Sequence, residues 1–180
     1  MGLVVPHSPV MVLIAAFSRY PEALAWGEER AVQALGPIRF RSELFAHEET
    51  RYYERSMGPN LKKVFWVFEK LADPADVVAW KLASNQWEEN YKQASSHPEE
   101  RPLNLDPGYL TEAKLVLATT KDRDHRIYLH SGIFAEVTLH HSGGKWLTRP
   151  WTYPDYQRAD YHAFFSQCRS HLRAELARSE

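Results

Sequence analysis

Lys62-Lys-Val-Phe-Trp-Val-Phe-Glu-Lys-Leu71 is the stretch whose reading decides the fold. Leu61, Val64, Phe65, Phe68 and Leu71 recur at helical spacing, yet Val-Phe-Trp-Val-Phe is also a good run for a buried strand. The residues just after it favour the strand. Asp73 suits an N-cap, Pro74 the first helical position and Asp76 the first turn, so a helix begins there and runs to about Tyr91. Upstream, Val10-Met-Val-Leu-Ile-Ala-Ala-Phe17 is a short continuous apolar run, the mark of a central strand buried on both faces. Ala23 to Leu35 is an amphipathic helix closed by Gly36-Pro37, and Ile38 to Phe45 is a second strand. Strand, helix, strand, strand, helix is the start of a ferredoxin-like unit.

Downstream, Asp106-Pro-Gly-Tyr109 reads as a tight turn, since Pro fixes one backbone angle and Gly permits a positive φ. Thr111-Glu112 then opens a short helix or a strand through Thr120. His125 to His130, Ser131-Gly132, Ile133 to His140, Gly143-Gly144 and Lys145 to Thr148 form a three-strand antiparallel meander. Pro154-Asp155 introduces a last helix from about Tyr156 to Ala177. The sum is one α+β domain over residues 1–180, with an antiparallel or mixed sheet of five to six strands and helices mainly on one face.

The chain of 180 residues is 44% hydrophobic and 13% aromatic, which excludes wholesale disorder. Its net charge of −1 supplies no global attraction to nucleic acid or to an anionic membrane, so a nucleic-acid partner ranks last. One cysteine, Cys168, excludes an internal disulfide and a cysteine-rich zinc site, and in a helical pattern it is a packed thiol. No Lys or Arg precedes Arg19, and the longest N-terminal apolar run is too short to span a membrane. These features place the protein in a bacterial-type cytoplasm, with no membrane partner.

Candidate chemistry is concentrated in the second half. With Ser131-Gly132 as a two-residue turn, Ile127 faces Glu136, and His125 is Glu136's diagonal neighbour on one face. A carboxylate beside an imidazole can orient a general base, and the same pair can simply satisfy a partly buried strand. In that register Arg126 points to the opposite face. Asp106 and Tyr109 are polar groups presented by their turn, Lys114 and Arg126 are candidate anion contacts, and Trp151 and Tyr153 are flat aromatic platforms. Asp155 either joins them or caps the last helix. Phosphate-loop, dinucleotide-binding and nucleophile-elbow motifs are absent, and so is H-E-x-x-H. His140 and His141 point to opposite faces of a strand, so no metal site is expected. Which cofactor, if any, the protein uses is not written in these residues.

Met57-Gly58 with Leu61-Lys62, Lys81-Leu82 with Asn85, Asp106-Pro-Gly-Tyr-Leu110, Lys114-Leu-Val-Leu-Ala-Thr119, His125-Arg-Ile-Tyr-Leu129, Gly132-Ile-Phe-Ala-Glu-Val-Thr138 and Pro150-Trp-Thr-Tyr-Pro-Asp-Tyr156 stand in one order. Together they resemble the bacterial family called domain of unknown function 4416, from about Val10 to Arg169. The resemblance implies a signature set of Asp106, Gly108, Tyr109, Lys114, His125, Arg126, Glu136, Trp151, Tyr153 and Asp155, and no reaction. Acid, base, cation and aromatic platform together suit a pocket for a polar anionic ligand, phosphorylated or nucleotide-like. His125 and Glu136 are then the catalytic candidates; Asp106, Tyr109, Lys114, Arg126, Trp151, Tyr153 and Asp155 are the ligand-binding ones. The alternative is a non-catalytic interaction or assembly module that meets a protein partner through its aromatic segments.

Overall fold

A computed structural model describes residues 2–179. The apolar run near the N-terminus forms β1 (Val10–Ser18), buried along its whole length. Its alternate residues feed two cores: Val10, Val12, Ile14 and Ala16 enter one, Met11, Leu13 and Ala15 the other. A strand with water on neither face has no use for polar alternation, which is why this run is continuously apolar. Helix α1 (Pro21–Leu35) follows and ends at Gly36, whose φ of 89° only glycine adopts at little cost. Then come β2 (Ile38–Arg41), the two-residue β3 (Phe45–Ala46) and the short helix α2 (Glu54–Met57).

The deciding stretch is strand β4 (Lys62–Ala72). It pairs with β1 on one side and with β2 and β3 on the other, all antiparallel. Val64, Trp66 and Phe68 enter the first core, while Phe65 and Val67 enter the second. The apparent helical spacing dissolves because both faces are buried, so nearly every position is apolar. The Asp73 carboxylate accepts the Ala75 amide at 2.8 Å and starts a 3-10 turn that leads into α3 (Val77–Ala94).

Five further strands follow, β5 (Asn104–Leu110), β6 (Lys114–Thr119), β7 (Ile127–His130), β8 (Ile133–Ser142) and β9 (Lys145–Thr148). Among the described residues the sheet has nine strands in the order β2-β4-β1-β5-β6-β8-β7, with β3 beside β4 and β9 beside β8. This exceeds the expected five to six. Its first part, β2-β4-β1-β5, interleaves two strand–helix–strand crossovers in the ferredoxin-like manner. Two of the three long helices share one face, and the third takes the other. Those of the first half, α1 and α3, cover the first core, and α4 (Ala159–Ser179) covers the second through Tyr161, Phe165, Cys168 and Leu172. Cys168 is a packed thiol, as its helical setting implied, and burial pushes its pKa up to about 12.

Asp106-Pro-Gly-Tyr109 is not a turn. It is the middle of β5 (Asn104–Leu110), paired with β1 from Met11 to Phe17. Gly108 serves a close approach there: a Cβ on it would lie 2.0 Å from the Val116 carbonyl oxygen of β6 (Lys114–Thr119). Pro107 stands just before the ladder with β6 begins at Gly108, so its missing N–H leaves no bond unmade.

The meander is corrected as well. Strands β7 (Ile127–His130) and β9 (Lys145–Thr148) lie end to end along one edge of β8 (Ile133–Ser142), and β6 holds the other edge. The register also slips between Tyr128 and His130, so Ile127 faces Ala135 rather than Glu136.

Gly108→Ala must push β6 away from β5. We expect a loss of about 1–3 kcal/mol, the usual cost of overpacking, read by thermal unfolding as a fall of roughly 2–10 °C. An unchanged melting temperature would show that the two strands can part freely at this point.

Candidate functional site

Only Gly108, Tyr109 and Leu110 of β5 pair with β6. Before Gly108 the strands separate, and side chains of α3 take over the exposed edge. Lys81, Asn85 and Glu88 lie on one helix face by their spacing. The Leu105 amide donates to Glu88 Oε1 at 2.6 Å, and the Leu105 carbonyl accepts from Lys81 Nζ at 3.0 Å. Successive strand residues present their amides to alternate neighbours, so Pro107, two residues on, faces the same gap without a donor.

The gap opens into a cavity of about 530 Å³, lined on the helix side by Lys81, Asn85 and Glu88. Phe17, Lys63 and Asp106 come from the central strands, and His47, Tyr52 and Tyr53 from the segment after β3. Lys121, Arg123 and Arg126 come from the β6–β7 loop, and Tyr153, Asp155 and Tyr156 from the segment before α4. Six lysine or arginine side chains and three carboxylates line it, an excess of positive charge in a chain that is nearly neutral.

The inner charges are paired. Lys63 Nζ lies 2.6 Å from Asp155 Oδ2 and 4.4 Å from the centre of the Tyr156 ring. Lys81 Nζ meets Asp106 Oδ1 at 3.1 Å, and Asn104 donates to the other Asp106 oxygen at 2.8 Å. Burial alone would raise the Asp106 carboxyl, but the Lys81 and Lys63 ammonium groups, with those two hydrogen bonds, hold it below the ordinary range. Glu88 is raised by burial, against the opposing pull of Lys81 and Arg101. Burial likewise raises the Tyr53 and Tyr153 hydroxyls, which therefore act as neutral donors or acceptors. Among the described residues no group of three His, Cys, Asp or Glu could hold a metal.

The structure brings part of the expected set together. Asp106, Arg126, Tyr153 and Asp155 line the cavity. Glu136 lies just behind the wall, where its Oε2 accepts from Arg126 Nε at 2.7 Å. Arg126 also donates to the Lys121 carbonyl and to the Tyr153 hydroxyl, both at 2.8 Å, and is thereby locked in place. The expectation that Arg126 and His125 occupy opposite faces fails, because both precede β7 in a turn rather than lying on the strand. His125 reaches the same Glu136 oxygen at 3.1 Å and stacks on Trp151 at 5.1 Å, outside the cavity lining. Trp151 donates to the Val137 carbonyl, and Asp155 pairs with Lys63 rather than capping α4.

Glu136, His125 and Trp151 thus stand outside the lining, and Tyr109 and Lys114 lie farther away. Tyr109 faces the other side of the sheet and packs against the α1–α3 core. Lys114 stands at the far end of β6, opposite His140.

Sequence reasoning missed His47, Lys63 and Glu88, and assigned Lys81 and Asn85 no role. A lysine inside an apolar strand and a polar stripe at positions 81, 85 and 88 of an amphipathic helix were the available signals. His47 offered none.

Fold and site together define an α+β protein whose antiparallel sheet opens at one end into a charged cavity. The chain belongs to the family described as Domain of unknown function (DUF4416), whose model matches residues 8–172. No curated protein and no solved structure matches it. No helix among the described residues is long and apolar enough to cross a membrane.

Glu136 and Arg126 are nearly enclosed, at 1% and 7% side-chain exposure. Removing one partner strands the other, so Glu136→Ala is expected to cost about 3–5 kcal/mol in urea unfolding. Glu136→Gln, which keeps the acceptor oxygen, loses less. Equal losses for the two would mean that packing, not the ion pair, holds Arg126.

Proposed function

We propose that the protein binds a polar anionic small molecule, phosphorylated or nucleotide-like, in the cavity where β5 and β6 part. One observation carries this reading. The inner cations are neutralised by Asp106, Asp155 and Glu88, while at the mouth, among the described residues, Arg123 has no carboxylate partner and Lys121 Nζ meets only the Tyr52 hydroxyl, at 3.3 Å. Uncommitted cations beside aromatic rings, in a cavity of this size, suit an anionic head on a ligand with a flat or hydroxylated body. Asp106, Asn85 and Asn104 offer acceptors and donors to that body. Arg126 and Tyr153 form a fixed wall, and Glu136 positions Arg126 rather than meeting the ligand.

A second reading rests on the outer strand. Ile127, Tyr128 and Leu129 of β7 are exposed at the sheet edge, with Trp151 also at the surface, an aromatic and aliphatic strip of the kind an interaction module presents.

A thermal-shift screen of inorganic phosphate, pyrophosphate, sugar phosphates and nucleotides separates the two. A ligand at a hundred times its dissociation constant stabilises by about 2.7 kcal/mol, which is roughly 5–10 °C at this length. Lys121→Ala with Arg123→Ala should fold normally and lose most of that shift. A flat screen would overturn the binding reading and leave the interaction module.

A further inference from the structure

We propose that His47 is the proton-exchanging group of this cavity, neutral when the site is empty and protonated when an oxyanion is bound. The inference rests on the anion-binding reading above and names a residue that reading does not use. Its imidazole lines the cavity with only 2% of the side chain exposed, and neither ring nitrogen has a hydrogen-bond partner among the described residues. Buried polar atoms are satisfied in most folded proteins, and an orphan at a cavity wall marks where a ligand atom or water completes the bonding.

The surroundings define what the ring can do. Phe17 and Tyr53 flank it at centroid distances of 5.1 and 5.9 Å and fix its plane. Asp155 Oδ2 lies 3.5 Å from Nδ1, and a Glu49 oxygen lies 3.9 Å from the same nitrogen. Both carboxylates are already committed, Asp155 to Lys63 and Glu49 to Arg158. Burial first, then the Lys63 ammonium, outweigh the pull of the Asp155, Glu49 and Asp106 carboxylates, and hold the free imidazole below its ordinary range. A bound oxyanion reverses the balance, because it brings negative charge and an acceptor to a ring that lacks one. A solvent proton then bonds to the free nitrogen, and the resulting N–H donates to the anion. A group that changes charge with occupancy is also placed to pass that proton to a ligand oxygen.

Sulfate is a suitable probe, since its own charge is constant across the working range. Nitrogen-15 imidazole spectra of the full chain, with His47→Gln to assign the signal, follow the titration with and without sulfate. We expect sulfate to raise the His47 pKa by about one unit or more, and sulfate affinity to rise up to tenfold per pH unit as pH falls through that window. His47→Gln should bind sulfate without this pH dependence. Should that variant fail to fold, the wild-type imidazole titration still decides. Sulfate that perturbs the Lys121 and Arg123 amides but leaves the His47 titration unmoved would overturn the inference and spare the cavity reading. No response at Lys121 or Arg123 would overturn both.

Discussion

The structure depends on how β5 satisfies its second edge. A buried backbone amide left without a partner costs about 1–3 kcal/mol, and a central strand that loses its neighbour would incur that cost repeatedly. Here β6 pairs with β5 from Gly108 onward, and before that point α3 stands in for it: Glu88 accepts the Leu105 amide and Lys81 donates to the Leu105 carbonyl. Pro107 removes the next donor that would face the gap. Gly108 allows β6 to cross close to β5 where pairing resumes. With the edge satisfied in this way, the sheet can open without melting, and the opening is the cavity.

The same substitution of side chains for a strand sets the electrostatics. Lys81 and Glu88 are brought into the interior as backbone partners, and each then needs a counter-charge, which Asp106 and Arg101 provide. Lys63 enters from β4 and is matched by Asp155. Buried ion pairs of this kind contribute little net stability, because desolvation offsets their attraction. Their consequence is a rigid, polar floor. Lys121 and Arg123, at the mouth, are exposed to water.

Glu136 shows how a pair anticipated along the chain can take a different role in the fold. Its diagonal contact with His125 was legible, and the two do meet. The contact arises another way, since the β7–β8 register slips by one residue and His125 precedes the strand. The stronger partner is Arg126, which strand alternation had placed on the far face. Alternation holds only inside a ladder, and neither His125 nor Arg126 is in one.

The sequence by itself determined the elements that have one dominant signal. Continuous apolar runs gave β1 and β4, and cap residues gave the starts or ends of α1 and α3. Paired turn signals gave β8 and its two neighbours. It also marked Asp106, Arg126, Tyr153 and Asp155, which do share the cavity. Tertiary structure decided the rest, because a residue's local signal does not say which neighbour it will face. Pro-Gly at 107–108 reads as a turn by torsional freedom, yet what selects it is the approach of β6. A lysine at 63 and a histidine at 47 look incidental until strands and loops distant in the chain surround them. Burial and counter-charge are properties of the assembled interior, and the site is made of both.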